Sequence, residues 1–214
     1  MPDIDFVQVF LVFIVLLFSL TVHEAAHAWT ASQLGDPTAR ILGRVSLNPV
    51  VHIDPIGTLL FPLLAIVAGV PLIGWAKPVP VNVTKLRHHR RDYVLVAAAG
   101  PASNLALAVI AALVLKLLPV SPVTIGEPNL TAPIASILSR ALYINVLLAV
   151  FNMIPIPPLD GGNVIGGLLP QTFARRFDSL IRPYGFILLY ALMLTRGLDY
   201  LIGRPSSFLL SWLQ

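Results

Sequence analysis

From Phe6 to Val22 the only polar side chains are Gln8, Ser19 and Thr21, and the run continues to about Leu34, where Gly35-Asp36-Pro37 stops it. This predicts a membrane-crossing helix, because about 20 mostly apolar residues at about 1.5 Å each span the hydrocarbon layer. Three later stretches predict further spans, at about Tyr93–Leu118, about Ala132–Ile154 and residues 184–202. Residues 56–74 are also apolar, but Gly57, Pro62, Gly69, Pro71 and Gly74 interrupt them, which predicts a re-entrant segment buried against protein. Residues 36–57 are polar and punctuated by proline and glycine, and read as a loop with short extended pieces. In Trp75-Ala-Lys-Pro-Val-Pro-Val81 each residue before a proline is pushed toward the β region, which predicts a short membrane-associated β ribbon. The expected fold is thus all-α and polytopic, with four main transmembrane helices, a re-entrant apolar segment and a short β ribbon. It forms a single integral-membrane domain over residues 1–214, with its core at about 5–165 and a C-terminal helical segment at about 180–214.

Composition supports the membrane reading and adds an orientation. The chain is 57% hydrophobic and 11% charged, too apolar for a soluble domain, so the lipid bilayer is its first partner. Its net charge is +4, yet ten of its fourteen Lys and Arg fall in residues 40–91 and 175–182. That clustering is a topology signal and not a nucleic-acid patch. Arg40 and Arg44 place the end of the first span on the cytoplasmic side, leaving the N-terminus outside. Residues 1–22 lack a basic leader and carry Asp3 and Asp5, so they read as a retained helix rather than a signal peptide. The cluster from Lys85 to Arg91 reads as a membrane-surface anchor in preference to metal binding by His88 and His89. The tail from Ser206 to Gln214 reads as interfacial. No cysteine is present, so any metal must be held by His, Asp or Glu.

The first span carries the candidate chemistry. His23 and His27, four apart, share a helix face and can reach one metal ion, with Glu24 beside them. Ionisable groups this close to hydrocarbon are costly, which argues against a role in packing alone. A catalytic zinc keeps three protein ligands and an open position, so one more ligand is needed. Asp160 is the leading candidate. It follows Pro155, Pro157 and Pro158, on irregular backbone tolerable at membrane depth only beside a polar cavity, although Asp-Gly-Gly is also an ordinary turn signature. Asn104, near Gly100 and Pro101, reads either as an interhelical hydrogen-bonding group or as a group aimed at the site. His52 and Asp54 read either as groups supporting the site or its gate, or as loop residues.

Two motifs, His23-Glu-Ala-Ala-His27 and Asn152-Met-Ile-Pro-Ile-Pro-Pro-Leu-Asp160-Gly, together resemble the site-2 protease family of intramembrane zinc metalloproteases. Gly35-Asp-Pro-Thr-Ala, Leu47-Asn-Pro, His52-Ile-Asp-Pro, Trp75-Ala-Lys-Pro-Val and Gly100-Pro-Ala-Ser-Asn104 resemble its compact bacterial and archaeal branch, which lacks a PDZ domain. The resemblance implies one Zn²⁺ per chain held by His23, His27 and Asp160, with Glu24 as general base and Asn152 and Asn104 near the scissile carbonyl. It implies transmembrane protein substrates and a site toward the cytoplasmic side. A membrane zinc transporter and a non-catalytic scaffold that binds transmembrane helices are the alternatives. Both motifs end their spans, so those spans must run the same way, which assigns residues 56–74 as the segment that does not cross. A helical substrate must unwind to expose a peptide bond, and Trp75, Lys77 and Val79 on the ribbon are the expected strand edge for it.

Overall fold

Helices dominate because the apolar runs leave no other way to satisfy backbone polar groups in lipid. The computed structural model describes residues 6–61, 64, 75–118 and 131–214. Its helices are α1 (Phe6–Gln33), α2 (Thr38–Ile41), α3 (His89–Leu117), α4 (Thr131–Asn152), α5 (Asp160–Leu168), α6 (Gln171–Leu180), α7 (Gly185–Leu194) and α8 (Gly197–Leu213). Among the described residues, four stretches are long and apolar enough to cross a membrane: Val7–Gln33, His89–Leu117, Thr131–Asn152 and Gln171–Leu194. The bundle is built for lipid outside and close contact inside. Phe10, Ile14 and Phe18 of α1 and Val109, Ile110 and Leu113 of α3 are exposed. The interior between α3 and α4 is mostly small, with Ala108, Ala111 and Ala112 against Leu142 and Val146.

Side-chain pairs fix the helix directions. His27 reaches Val96 while His23 and Ser19 reach Asn104, so α1 and α3 run antiparallel. Gln8 meets Arg140 and Ser19 meets Asn145, so α1 and α4 run the same way. These are the directions that the two motifs require.

The loop after α1 is held by buried polar groups. Gly35, at φ 113°, ends the helix in a conformation that favours glycine. The fully buried Asp36 accepts the Thr38 N–H and hydroxyl on one oxygen and the Asn82 N–H on the other, at 2.6 Å. Arg87 N–H adds a bond to the Leu34 carbonyl at 3.0 Å. His52 is buried with Nε2 on the Ser46 carbonyl at 2.9 Å, and Asp54 caps the turn Pro55–Leu60 by accepting from Ile56 and Gly57. Both residues are thus engaged in shaping the loop.

The structure departs from the sequence expectations in two places. No strand forms among the described residues: Trp75–Val81 lacks regular secondary structure, and its N–H groups at Trp75 and Lys77 bond to the Gly57 and His52 carbonyls instead of to a partner strand. The expected span 184–202 breaks at Thr195 and Arg196. The Thr195 hydroxyl bonds back to the Ala191 carbonyl, Arg196 is left-handed at φ 56°, and the fourth apolar stretch ends at Leu194. The tail expected to be interfacial forms the end of α8, and its Leu209, Leu210 and Leu213 pack on the α3–α4 cluster. Most of the expected re-entrant segment, residues 62–63 and 65–74, lies outside the described residues.

Burial alone would raise the Asp36 pKa, but the hydrogen bonds from Thr38 and Asn82 outweigh it and hold the carboxyl below its usual range. A depressed folded pKa gives stability that is complete above the unfolded value and lost as pH falls through the folded one. Asp36→Asn should therefore lower the unfolding temperature at neutral pH, by an amount equivalent to about 1–3 kcal/mol. That gap should narrow below about pH 4. Scanning calorimetry of both proteins in one detergent checks this, and a gap independent of pH would contradict it.

Candidate metal centre

Within α1 the four-residue spacing stacks His23 and His27, whose rings lie 4.7 Å apart at 83°. Each ring is oriented from its far side. His23 Nδ1 is 2.6 Å from Asn104 Oδ1, and His27 Nδ1 is 2.7 Å from the Val96 carbonyl oxygen. Both partners only accept, so each Nδ1 donates and each neutral ring keeps its lone pair on Nε2. The two Nε2 atoms are 3.1 Å apart. Asp160 arrives from the other motif with Oδ2 at 3.1 Å from His23 Nε2 and 3.3 Å from His27 Nε2.

Backbone packing brings these groups together. Gly100 faces the two imidazoles, where a Cβ would stand 2.4 Å from His27 Nε2 and 2.5 Å from His23 Nε2. Glycines also seat α5: a Cβ at Gly161 would lie 2.3 Å from the Met153 carbonyl oxygen, and one at Gly162 would lie 2.4 Å from Pro157 N. The helix therefore starts tightly against the proline-rich turn, with Asp160 in its first turn, where a carboxylate is favoured by the helix dipole.

The residues fit a zinc ion. Asp160 Oδ2 is buried without a hydrogen-bond donor. Ligands about 2.0–2.2 Å from a tetrahedral zinc lie roughly 3.3–3.5 Å from one another, close to the three separations here. His23, His27 and Asp160 are each able to offer one such atom.

The remaining expected residues each have partners of their own. Glu24 accepts the Val79 N–H on Oε2 at 3.1 Å, so the carboxylate next to the histidines is also tied to the segment 75–81. Asn104 is fully buried and its amide is spent: Oδ1 holds His23, while Nδ2 donates to the Ser19 carbonyl and to Asn145 Oδ1 at 2.8 Å. It orients a histidine from behind rather than facing an incoming carbonyl. Asn152 Nδ2 donates to the Leu148 carbonyl of its own helix. Trp75 and Lys77 use their N–H groups on the loop. His88 and His89 lie apart from the centre, on Asp92 and the Val83 carbonyl. Sequence reasoning missed Asn145, whose Nδ2 reaches Ser19 Oγ at 2.9 Å. An asparagine in the interior of an apolar helix was the available signal.

The model of peptidase family M50 matches residues 11–194. The chain belongs to that family. Among curated proteins, this M50 chain is 39% identical over 199 residues to "Putative zinc metalloprotease YwhC" of Bacillus subtilis, covering 90% of the chain and 87% of that protein. It is 31% identical over 201 residues to Rip2 of Mycolicibacterium smegmatis, named in the same way, covering 92% of the chain and 71% of the relative. To Rip2 of Mycobacterium tuberculosis strain H37Rv it is 34% identical over 187 residues, or 86% of the chain and 66% of the relative. No solved structure matches the chain.

Removing a group that orients a metal-binding histidine typically costs about 10–100-fold in metal affinity. Asn104→Leu should show a loss of that size, measured as zinc surrendered to a chromogenic chelator, while the helix content stays unchanged. Gly100→Val should lose more, because its side chain enters the centre. Wild-type retention in both variants would contradict the geometry described.

Proposed function

We propose that the chain is a zinc metalloendopeptidase that hydrolyses peptide bonds within or beside transmembrane segments of membrane-protein substrates, from a single integral-membrane domain. The observation that carries this reading is the convergence of His23, His27 and the donorless Asp160 Oδ2 on helices whose outer faces are apolar. The names of the relatives, zinc metalloproteases, agree with it.

His23, His27 and Asp160 would hold the zinc, with the imidazole tautomers fixed by Asn104 and Val96. When bound, zinc supplies Lewis acidity, lowering the pKa of coordinated water and polarising the peptide carbonyl. Glu24 accepts the proton that water loses as its oxygen bonds to the carbonyl carbon, then returns it to the amine nitrogen as the C–N bond breaks. Asn152 lies at the end of α4, where its carbonyl-stabilising role requires release from Leu148.

In the proposed topology the N-terminus lies outside, the centre lies toward the cytoplasmic side, and residues 56–74 do not cross. The basic residues after α1 and the bond from Trp75 N–H back to the Gly57 carbonyl support it. Trp75, Lys77 and Val79 direct their N–H groups to the loop and to Glu24, and the Trp75 carbonyl accepts from Thr58. The edge expected at Trp75, Lys77 and Val79 is thus occupied, and the proposed docking edge becomes the opposite one, to which alternation along extended backbone would turn Ala76, Pro78 and Pro80. That edge is rich in acceptors, since prolines have no N–H, so an unwound substrate would mainly donate to it.

Glu24→Gln should retain zinc and lose about 10²–10⁴-fold in cleavage of a single-span substrate, whereas Asp160→Ala should lose both zinc and cleavage. Elemental analysis beside a gel-based cleavage assay measures the pair. Full cleavage by Glu24→Gln would contradict the role of the base. In the Glu24→Gln background, a photo-crosslinking residue in place of Lys77 or Val79 should capture bound substrate. Bound substrate without crosslinks would remove the strand-edge proposal.

A further inference from the structure

A cavity of about 320 Å³ opens between the start of α3, the outer part of α5 and α6, lined by none of His23, His27 and Asp160. Its walls carry three guanidinium groups, Arg90, Arg175 and Arg182, with Tyr93 and Asn163, against one carboxylate, Asp178. That carboxylate is already engaged, because Arg182 holds it through two nitrogens at 2.9 and 3.1 Å. Arg90 reaches only the Gly166 carbonyl, at 3.2 Å, and among the described residues neither Arg90 nor Arg175 has an acidic partner. Two uncompensated guanidinium groups thus line a concave space beside neutral hydrogen-bonding groups. The planar fork of arginine matches phosphate oxygens in charge and in geometry.

Depth and flanks indicate where such a phosphate comes from. His89 opens one candidate span and Gln171 opens another, so the cavity sits at the heads of two membrane helices, the level of lipid headgroups. Beside it, Leu168, Phe173 and Leu180 are 70%, 59% and 64% exposed. On α6, Phe173, Phe177 and Leu180 recur at helical spacing while Arg175, Arg176 and Asp178 take the other positions, an amphipathic pattern. A basic cavity with apolar flanks suits an amphiphile.

We infer that this cavity binds a phosphate group, carried by the headgroup of an anionic phospholipid, and that its occupant steadies α5. Arg90 and Arg182 already touch α5 at Gly166 and Asn163, the latter at 3.3 Å. Asn163 stands one turn from Asp160, about 4.5 Å along the axis. The consequence for Asp160 rests on the metalloprotease reading, but binding to the cavity does not.

The test uses the full chain in detergent micelles, titrated with fluorescent phosphatidylglycerol. Arg175→Gln is the least disruptive variant, since its side chain makes no hydrogen bond or ion pair among the described residues. Each of Arg90 and Arg175 replaced by Gln should weaken binding about fivefold, with the double variant losing both increments. Arg176→Gln, on the same helix but outside the cavity, should bind as wild type does. Displacement of the lipid by inorganic phosphate at similar affinity would keep the anion site and reassign its source to a soluble phosphate. Unchanged binding by the double variant, or an equal loss in Arg176→Gln, would overturn the site. In nanodiscs of phosphatidylcholine, adding phosphatidylglycerol should slow hydrogen exchange of the α5 amides in wild type and not in the double variant. Equal exchange with and without it would overturn the steadying of α5. Neither readout depends on cleavage, so a failed protease reading leaves both interpretable.

Discussion

Three acceptor atoms, two imidazole Nε2 lone pairs and one carboxylate oxygen, lie 3.1–3.3 Å apart in a largely buried place. Such a set repels itself unless a cation lies among its members, and the rest of the bundle is arranged to hold it in place. The Nδ1–H groups are engaged by Asn104 and Val96, so neither ring is free to turn its proton inward. Ser19 and Asn145 fix Asn104 in turn, linking α1, α3 and α4 through buried polar groups in an otherwise apolar interior. Buried polar groups are costly unless satisfied, so this network specifies how the three helices meet as well as which histidine nitrogens face the centre.

The membrane and the centre impose opposite demands, and the fold separates them by face. Large apolar side chains cover the outside, while small residues let α3 approach α1 and α4 closely enough for the network to close. The segment 75–81 passes Glu24. Val79 N–H holds the proposed base on one edge of that segment, and the other edge is the one proposed for a substrate. In that proposal, base position and substrate docking share a single stretch of backbone.

Much of this was legible in the sequence because it depends on local pattern. The helical spacing of His23 and His27, the length of the apolar runs and the helix-stopping Gly35-Asp36-Pro37 each have a short-range physical reading. The pairing of these histidines with Asp160 came from the ligand count that a catalytic zinc requires. What the sequence hid depends on contacts across the fold. Asn104 offered two roles, and its partners Ser19 and Asn145 lie 85 and 41 positions away. The break at Thr195 and Arg196 was missed because residues 184–202 are apolar enough to read as one span, while the turn rests on one threonine bond and one left-handed residue. The expected ribbon failed for a related reason: prolines favour extended backbone but cannot supply a partner strand.

X-ray absorption at the zinc edge of the purified, zinc-loaded protein tests the central claim most directly, because it reports which atoms surround the metal. The account predicts two imidazole nitrogens together with oxygen donors, and loss of the imidazole signature when His23 and His27 are both replaced by alanine. A metal environment without imidazole, or one that survives that double replacement, would contradict it.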